Sequence, residues 1–188
     1  MNKDFPAPQN FEERFSQELL KRDIRALLLG GVACITYGST RYSQDTDWWI
    51  DSTADVRSWM KRLMDVALGC AEPCVWTRLL GRQMLGTYPQ DAGSNELSLR
   101  AEQTVAEDGV VRIGTENSFV DVFYRPHQLT DFDAAWKKSQ ALDGCLRRLC
   151  IEDLIQTKTD TGRLQDEGDV RFLMNLLNSA KPITGKEE

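Results

Sequence analysis

The chain has 188 residues, 41% of them hydrophobic and 28% charged, with a net charge of −6, the composition of an ordinary globular protein with length for one sizeable core. No apolar run approaches the roughly 20 residues of a membrane span, residues 1–10 lack a secretory pattern, and the acidic balance speaks against non-specific nucleic-acid binding over the whole surface. Five irregularly spaced cysteines are an odd number, which points to reduced thiols and a cytoplasmic location rather than a disulfide framework.

Residues 1–10, with Pro6 and Pro8, read as a loose lead-in. FEERFSQELLKR then predicts a helix: Asn10 can cap it, Glu13 holds the capping-box position, and Phe11, Phe15, Leu19 and Leu20 share a face. ALLLGG is a short apolar strand ending in glycine, and VACITYG a short helix behind the Gly-Gly corner. DTDWWID reads as a strand, and STAD as a second capping box before the helical stripe Val56, Trp59, Met60, Leu63 and Ala67. From about 70 to 108, glycines and prolines predict loops with one or two edge strands. GVVRIGTENSFVDVFYR reads as a hairpin. TDFDAAWKKSQAL, capped by Thr130 with Asp133, then CIEDLIQTKTDTGR and QDEGDVRFLMNLL, with Val170, Leu173, Met174 and Leu177 on one face, predict helices. The order implies an α/β (α+β) core over 11–129, a mixed sheet with flanking helices, followed by a helical C-terminal part over 130–180 and a frayed tail over 181–188.

Asp45 and Asp47 carry the first chemical signal. Side chains alternate along a strand, so both carboxylates would project from one face about 6 Å apart, with a repulsion of about 3 kcal/mol at an effective dielectric near 20. A bound cation, a shifted pKa or open water can relieve it, and a solvated edge-strand pair is the plain alternative. Asp121, in SFVDVFYR, is a third acid in a strand that otherwise wants apolar partners. If the two strands are neighbours, three hard oxygen ligands converge, a set that suits Mg²⁺ or Mn²⁺. Gly30 and Gly31 leave backbone N–H groups open to a phosphate, though a ligand-free tight turn needs the same residues. Cys70, Cys74, Cys145 and Cys150 lack the usual zinc spacing and read as buried thiols. His127 reads as a polar loop residue. The tryptophans read as core, except that Trp48 and Trp49 must face opposite ways, which leaves one of them open to stack on a base.

The phrase GGVACITYGSTRYSQDTDWWI resembles the DNA-polymerase-β-like nucleotidyltransferase superfamily, whose signature is a hydrophobic residue, Gly, Gly or Ser, a spacer, and Asp-x-Asp in a strand. Thirteen residues separate Gly31 from Asp45, the long end of the pattern. The branch it looks like contains AbiEii-type toxins, and IEDLIQTKTDTGRLQDEGDV is similar to that branch's EDLI-x-x-K … GR-x-x-D-x-x-D segment. Tyr37 stands where the branch often has His, and the middle of the chain is unmatched.

The resemblance implies a nucleotidyltransferase fold and Mg²⁺- or Mn²⁺-dependent transfer of a nucleoside monophosphate from an NTP to a hydroxyl. It implies Asp45, Asp47 and Asp121 as metal ligands, with Asp121 also toward the acceptor hydroxyl. Gly30, Gly31, Arg41 and Lys158 fall on the nucleotide phosphates. Asp166 would orient Lys158 or serve as an acceptor-side base, unless it simply caps the last helix. The acceptor would be tRNA or another RNA, or a protein, as for a toxin held by an antitoxin partner. A small-molecule, antibiotic-type acceptor is the alternative. So is a non-catalytic nucleotide- or partner-binding module of the same fold. KRDIR, GRQ, LRRLC and Arg163 could form a local basic strip.

Overall fold

The computed structural model describes residues 8–70, 73–91 and 96–180. The tail over 181–188 and most of the N-terminal lead-in lie outside the described residues. Helix α1 (Phe11–Lys21) starts where expected. Asn10 accepts the N–H of Glu13, and the Glu13 carboxylate reaches back to the N–H of Gln9 rather than of Asn10. Strand β1 (Ala26–Leu29) leads directly into the seven-residue helix α2 (Gly30–Thr36), and β2 spans Thr46–Ile50. Asp45 therefore lies just before the strand rather than in it. Helix α3 (Val56–Gly69) is capped by Asp55, which accepts the N–H of Ser58, and buries Trp59, Met60, Leu63 and Ala67 as the stripe predicts.

The middle of the chain is more regular than its glycines and prolines predict. It forms β3 (Cys74–Thr77), β4 (Met84–Tyr88) and a 13-residue helix α4 (Glu96–Asp108), which buries Leu97, Ala101, Thr104 and Val105. The expected hairpin is present as β5 (Val110–Gly114) and β6 (Phe119–Phe123).

Beyond residue 130 the chain departs from an all-helical reading. Helix α5 (Phe132–Lys138) is capped by Asp131 rather than Thr130 and stops at Ser139. A second hairpin follows, β7 (Gln140–Asp143) with β8 (Leu146–Arg148), and β8 pairs in parallel with β1. Helices α6 (Ile151–Lys158) and α7 (Leu164–Ala180) close the chain. Asp166 sits in the first turn of α7 and is not its cap. Leu173 is buried on that helix, whereas Met174 is exposed.

Among the described residues, eight strands form one mixed sheet in the order β4-β3-β5-β6-β2-β1-β8-β7, with seven α-helices around it. The fold is thus α+β, with a helical C-terminal part that also completes the sheet. Thr46 donates to Glu12 of α1, so residues 46, 48 and 50 face α1 while Asp47 and Trp49 face the other way. Both tryptophans of β2 are buried, at 4% and 0% exposure, so both sheet faces are covered there and neither ring is free to stack on a base. Trp49 packs edge-on to Phe132 of α5, and Trp59 edge-on to Tyr124. Burying a ring of this size contributes on the order of 4 kcal/mol. The five cysteines are buried free thiols. No helix among the described residues is long and apolar enough to cross a membrane.

Candidate active site

Parallel pairing of β2 with β6 sets Asp47 directly beside Asp121, and antiparallel pairing of β2 with β1 sets Asp47 beside Leu29, the last residue before the glycine corner. These two registers bring together segments nearly a hundred residues apart. The result is a cavity of about 640 Å³ at the ends of the central strands. Gly30, Gly31, Arg41, Asp45, Asp47, Asp121, Lys158 and Asp166 all line it. Every residue singled out in the sequence for this chemistry therefore reaches one cavity.

One wall is acidic. The Asp47 carboxylate has no hydrogen-bond or ion-pair partner among the described residues. Burial, and then the charges of Asp121 and Asp45, push its pKa well above the usual carboxylate range. Asp121, 3% exposed, is also raised by burial, although the Arg112 guanidinium pulls it back. Arg112 was not foreseen in the sequence. It lies opposite Asp121 in the β5–β6 register and donates from Nε to Asp121 Oδ1 at 2.6 Å, and from Nη2 to Asp121 Oδ2 at 2.8 Å and to Asp45 Oδ2 at 3.0 Å. Its guanidinium carbon stands 3.9 Å from the centre of the Phe119 ring.

The facing wall is balanced. Lys158, 6% exposed, is bonded to Asp166 at 3.0 Å and paired with Asp169 at 2.7 Å. Burial works to lower its pKa, but the bonds to Asp169 and Asp166 outweigh that and raise it. Asp166 also accepts from Thr161 at 2.8 Å, and these bonds hold its pKa below the usual range against the effect of burial. Asp169, behind Lys158, pairs through its other oxygen with Arg41 at 2.9 Å. Asp166 and Asp169 thus both hold the lysine ammonium. Asp169 is the second acid of the D-x-x-D spacing, the signal in the sequence that marks it.

The glycines make room for side chains. Gly30 has φ +67°, a conformation that favours glycine, and a Cβ there would lie 1.8 Å from Asp47 Oδ2. A Cβ on Gly31 would meet the Arg41 guanidinium at 2.2 Å and Ser43 Oγ at 2.4 Å. Tyr37 is not part of the lining: its hydroxyl donates to the Leu149 carbonyl at 2.8 Å. His127 does reach the cavity lining.

The donor set is chemically suited to a hard divalent cation, because three carboxylates meet and one of them is unpartnered. Even so, among the described residues no group of three or more His, Cys, Asp or Glu side chains is arranged to hold a metal ion. The acids are engaged instead by a cation of the protein itself. Arg112 occupies both oxygens of Asp121 and one of Asp45. No protein-family model matches the chain, and no curated protein matches it at a significant level. What the site can do therefore rests on its geometry.

Proposed function

We propose that this protein is a metal-dependent nucleotidyltransferase that moves a nucleoside monophosphate from an NTP to a hydroxyl. The acceptor oxygen would bond to the α-phosphorus, the α–β bridge would break, and pyrophosphate would leave. The observation that carries the reading is one cavity lined both by three converging acids, Asp45, Asp47 and Asp121, of which Asp47 has no hydrogen-bond or ion-pair partner among the described residues, and by the cations Lys158 and Arg41. Such a pair of walls fits a substrate that brings cations to one side and phosphate oxygens to the other.

Asp45, Asp47 and Asp121 would hold Mg²⁺ or Mn²⁺, which supplies positive charge for the triphosphate and the leaving pyrophosphate. Lys158 and Arg41 would bind phosphate oxygens while Asp166 and Asp169 hold them in place. Asp121 would take the acceptor's proton once Arg112 releases one of its oxygens. Catalysis would then consist largely of positioning and electrostatics.

For the acceptor, RNA or protein is the first reading. Tyr42 and Leu80, 77% and 67% exposed, border the cavity and give a larger partner apolar footing. One observation favours a small-molecule acceptor instead. The arginines of KRDIR and LRRLC are engaged internally: Arg22 with Glu18, Arg25 with Asp51 and Asp133, Arg147 with Ser139 and Arg148 with Gln140. These four are held by the protein's own groups, whereas Arg163 lines the cavity and its side chain is 71% exposed.

Incubation with each α-labelled NTP, Mg²⁺ or Mn²⁺, and total cellular RNA and protein tests the reading, with the Asp45→Ala/Asp47→Ala double variant alongside. Label transferred by the wild type alone supports it, and nuclease sensitivity and size identify the acceptor class. No transfer, together with no thermal shift from metal plus NTP, would leave the fold as a binding module.

A further inference from the structure

We propose that Arg112 is a built-in counter-cation of the acidic wall, which competes with a divalent metal for Asp45 and Asp121 and so sets the site's metal affinity. The identity of the competing ion rests on the nucleotidyltransferase reading, whereas the arginine's position does not.

The position follows from the sheet. The four-residue turn between β5 and β6 pairs Gly114 with Phe119, and therefore Arg112 with Asp121. Directly paired residues share a face, so the arginine must emerge beside the acid. Val111 and Ile113, its neighbours along β5, are buried on the other face. The planar fork then meets both Asp121 oxygens and extends to Asp45, the two-pronged geometry in which guanidinium binds carboxylate best. The Phe119 ring supports the guanidinium from one side.

One positive charge is shared among three carboxylates, and Asp47 receives no bond from it. The Lys158 charge relieves Asp47 in part, but burial and the two neighbouring acids outweigh it, and the ammonium itself is bonded to Asp166 and Asp169. A divalent ion drawn to the same oxygens brings twice the charge, but those oxygens cannot serve both cations at once. Arg112 stands at the end of a long side chain that is 20% exposed, so it can leave the acids without disturbing the strands. In the metal-free protein it keeps the wall tolerable. With metal, it is displaced at least from Asp45. Binding is weakened by the free energy of its release.

Calorimetric titration of Mn²⁺ into the full chain, without nucleotide, compares wild type, Arg112→Gln and Arg112→Lys. Arg112→Gln should bind Mn²⁺ about tenfold tighter or more, since a like charge at contact distance from the ion is removed, and should melt earlier than wild type in chelator. Arg112→Lys should fall between the two, because an ammonium cannot span Asp121 and Asp45 as the fork does. Unchanged or weaker binding by Arg112→Gln would overturn the proposal and leave Arg112 as a residue that merely holds Asp121 in place. Should Arg112→Gln fail to fold, Arg112→Lys decides: binding no tighter than wild type sinks the idea. If none of the three binds Mn²⁺, with or without NTP, the nucleotidyltransferase reading fails and this inference with it. Metal binding by wild type with no gain in either variant removes the inference alone.

Discussion

The two walls of the cavity are built from the same kinds of residue and have opposite electrostatic characters. On the α6–α7 side two cations and two carboxylates close into a chain, Arg41–Asp169–Lys158–Asp166, in which each charge has a partner. On the β2–β6 side three carboxylates share one guanidinium, and Asp47 has no bond to any cation. A fold that can neutralise buried charge so thoroughly on one wall has the means to do so on the other. The imbalance is therefore where a ligand's charge is expected to enter, and the balanced wall is where rigidity is expected.

The sharpest way to break the comparison is to neutralise the unpartnered acid. Asp47→Asn should lower nucleotidyl transfer by about 1,000-fold or more, the scale seen when a group that stabilises developing charge is removed. It should at the same time stabilise the metal-free protein. An acid whose folded pKa lies above its unfolded value near 4 holds its proton more tightly in the fold, so the fold loses stability as pH rises from about 4 through the folded pKa. Asparagine carries no such penalty. Denaturant melts in chelator should show the variant's advantage growing over that window; an advantage absent at neutral pH would mean that Asp47 is not held under strain.

How far the sequence revealed all this depends on the range of the interactions. The acids, the glycine corner and Lys158 were legible because each marks itself locally, by alternation, spacing or motif. Strands β7 and β8 were not. Their hairpin is short, β7 is largely exposed and continues the apparent helical pattern of TDFDAAWKKSQAL, and the place of β8 is set by pairing with Ala26–Leu28 far back in the chain. Helix α4 was hidden differently: its period of Leu97, Ala101 and Val105 was present, but the glycines and prolines before it suggested irregularity. Arg112 is the instructive case. Alternation in VVRIG turns it away from Val111 and Ile113, and a four-residue turn pairs it with Asp121, so its position is encoded in the hairpin's register.

The balanced wall responds in the opposite sense. Asp169→Asn leaves Lys158 and Arg41, buried or half-buried, without a shared carboxylate, and breaking a buried pair by removing one partner costs about 3 kcal/mol. The expected signature is an earlier unfolding midpoint with an unchanged denaturant slope. A loss below about 0.5 kcal/mol, the range of ordinary surface substitutions, would show that the wall is no scaffold.

Away from the cavity, the half-buried Arg25–Asp51 pair supplies a control for ion pairs in this fold. Asp51 accepts from Thr53 and from two nitrogens of Arg25. These bonds hold its pKa below the usual value despite the opposing effect of burial. A depressed carboxylate contributes stability above its unfolded pKa and loses it as pH falls through its folded one. Asp51→Asn should therefore cost about 1–2 kcal/mol at pH 7, with the gap to wild type closing below about pH 4. A gap independent of pH would assign the loss to packing instead.

The smallest effect concerns the balanced wall without touching its charges. Gly168 lies inside α7 between Asp166 and Asp169, and a Cβ added there meets open space. In a helix interior, alanine in place of glycine is worth about 0.5–1 kcal/mol, so Gly168→Ala should raise the unfolding midpoint slightly. Its value lies in what it does to transfer. If α7 serves as a fixed support for Lys158, a stiffer first turn leaves the rate unchanged, and the functional demands fall on the acidic wall alone. A falling rate alongside rising stability would mean that Asp166 and Asp169 must shift with the lysine during turnover, and the division between a rigid wall and a responsive one would not hold.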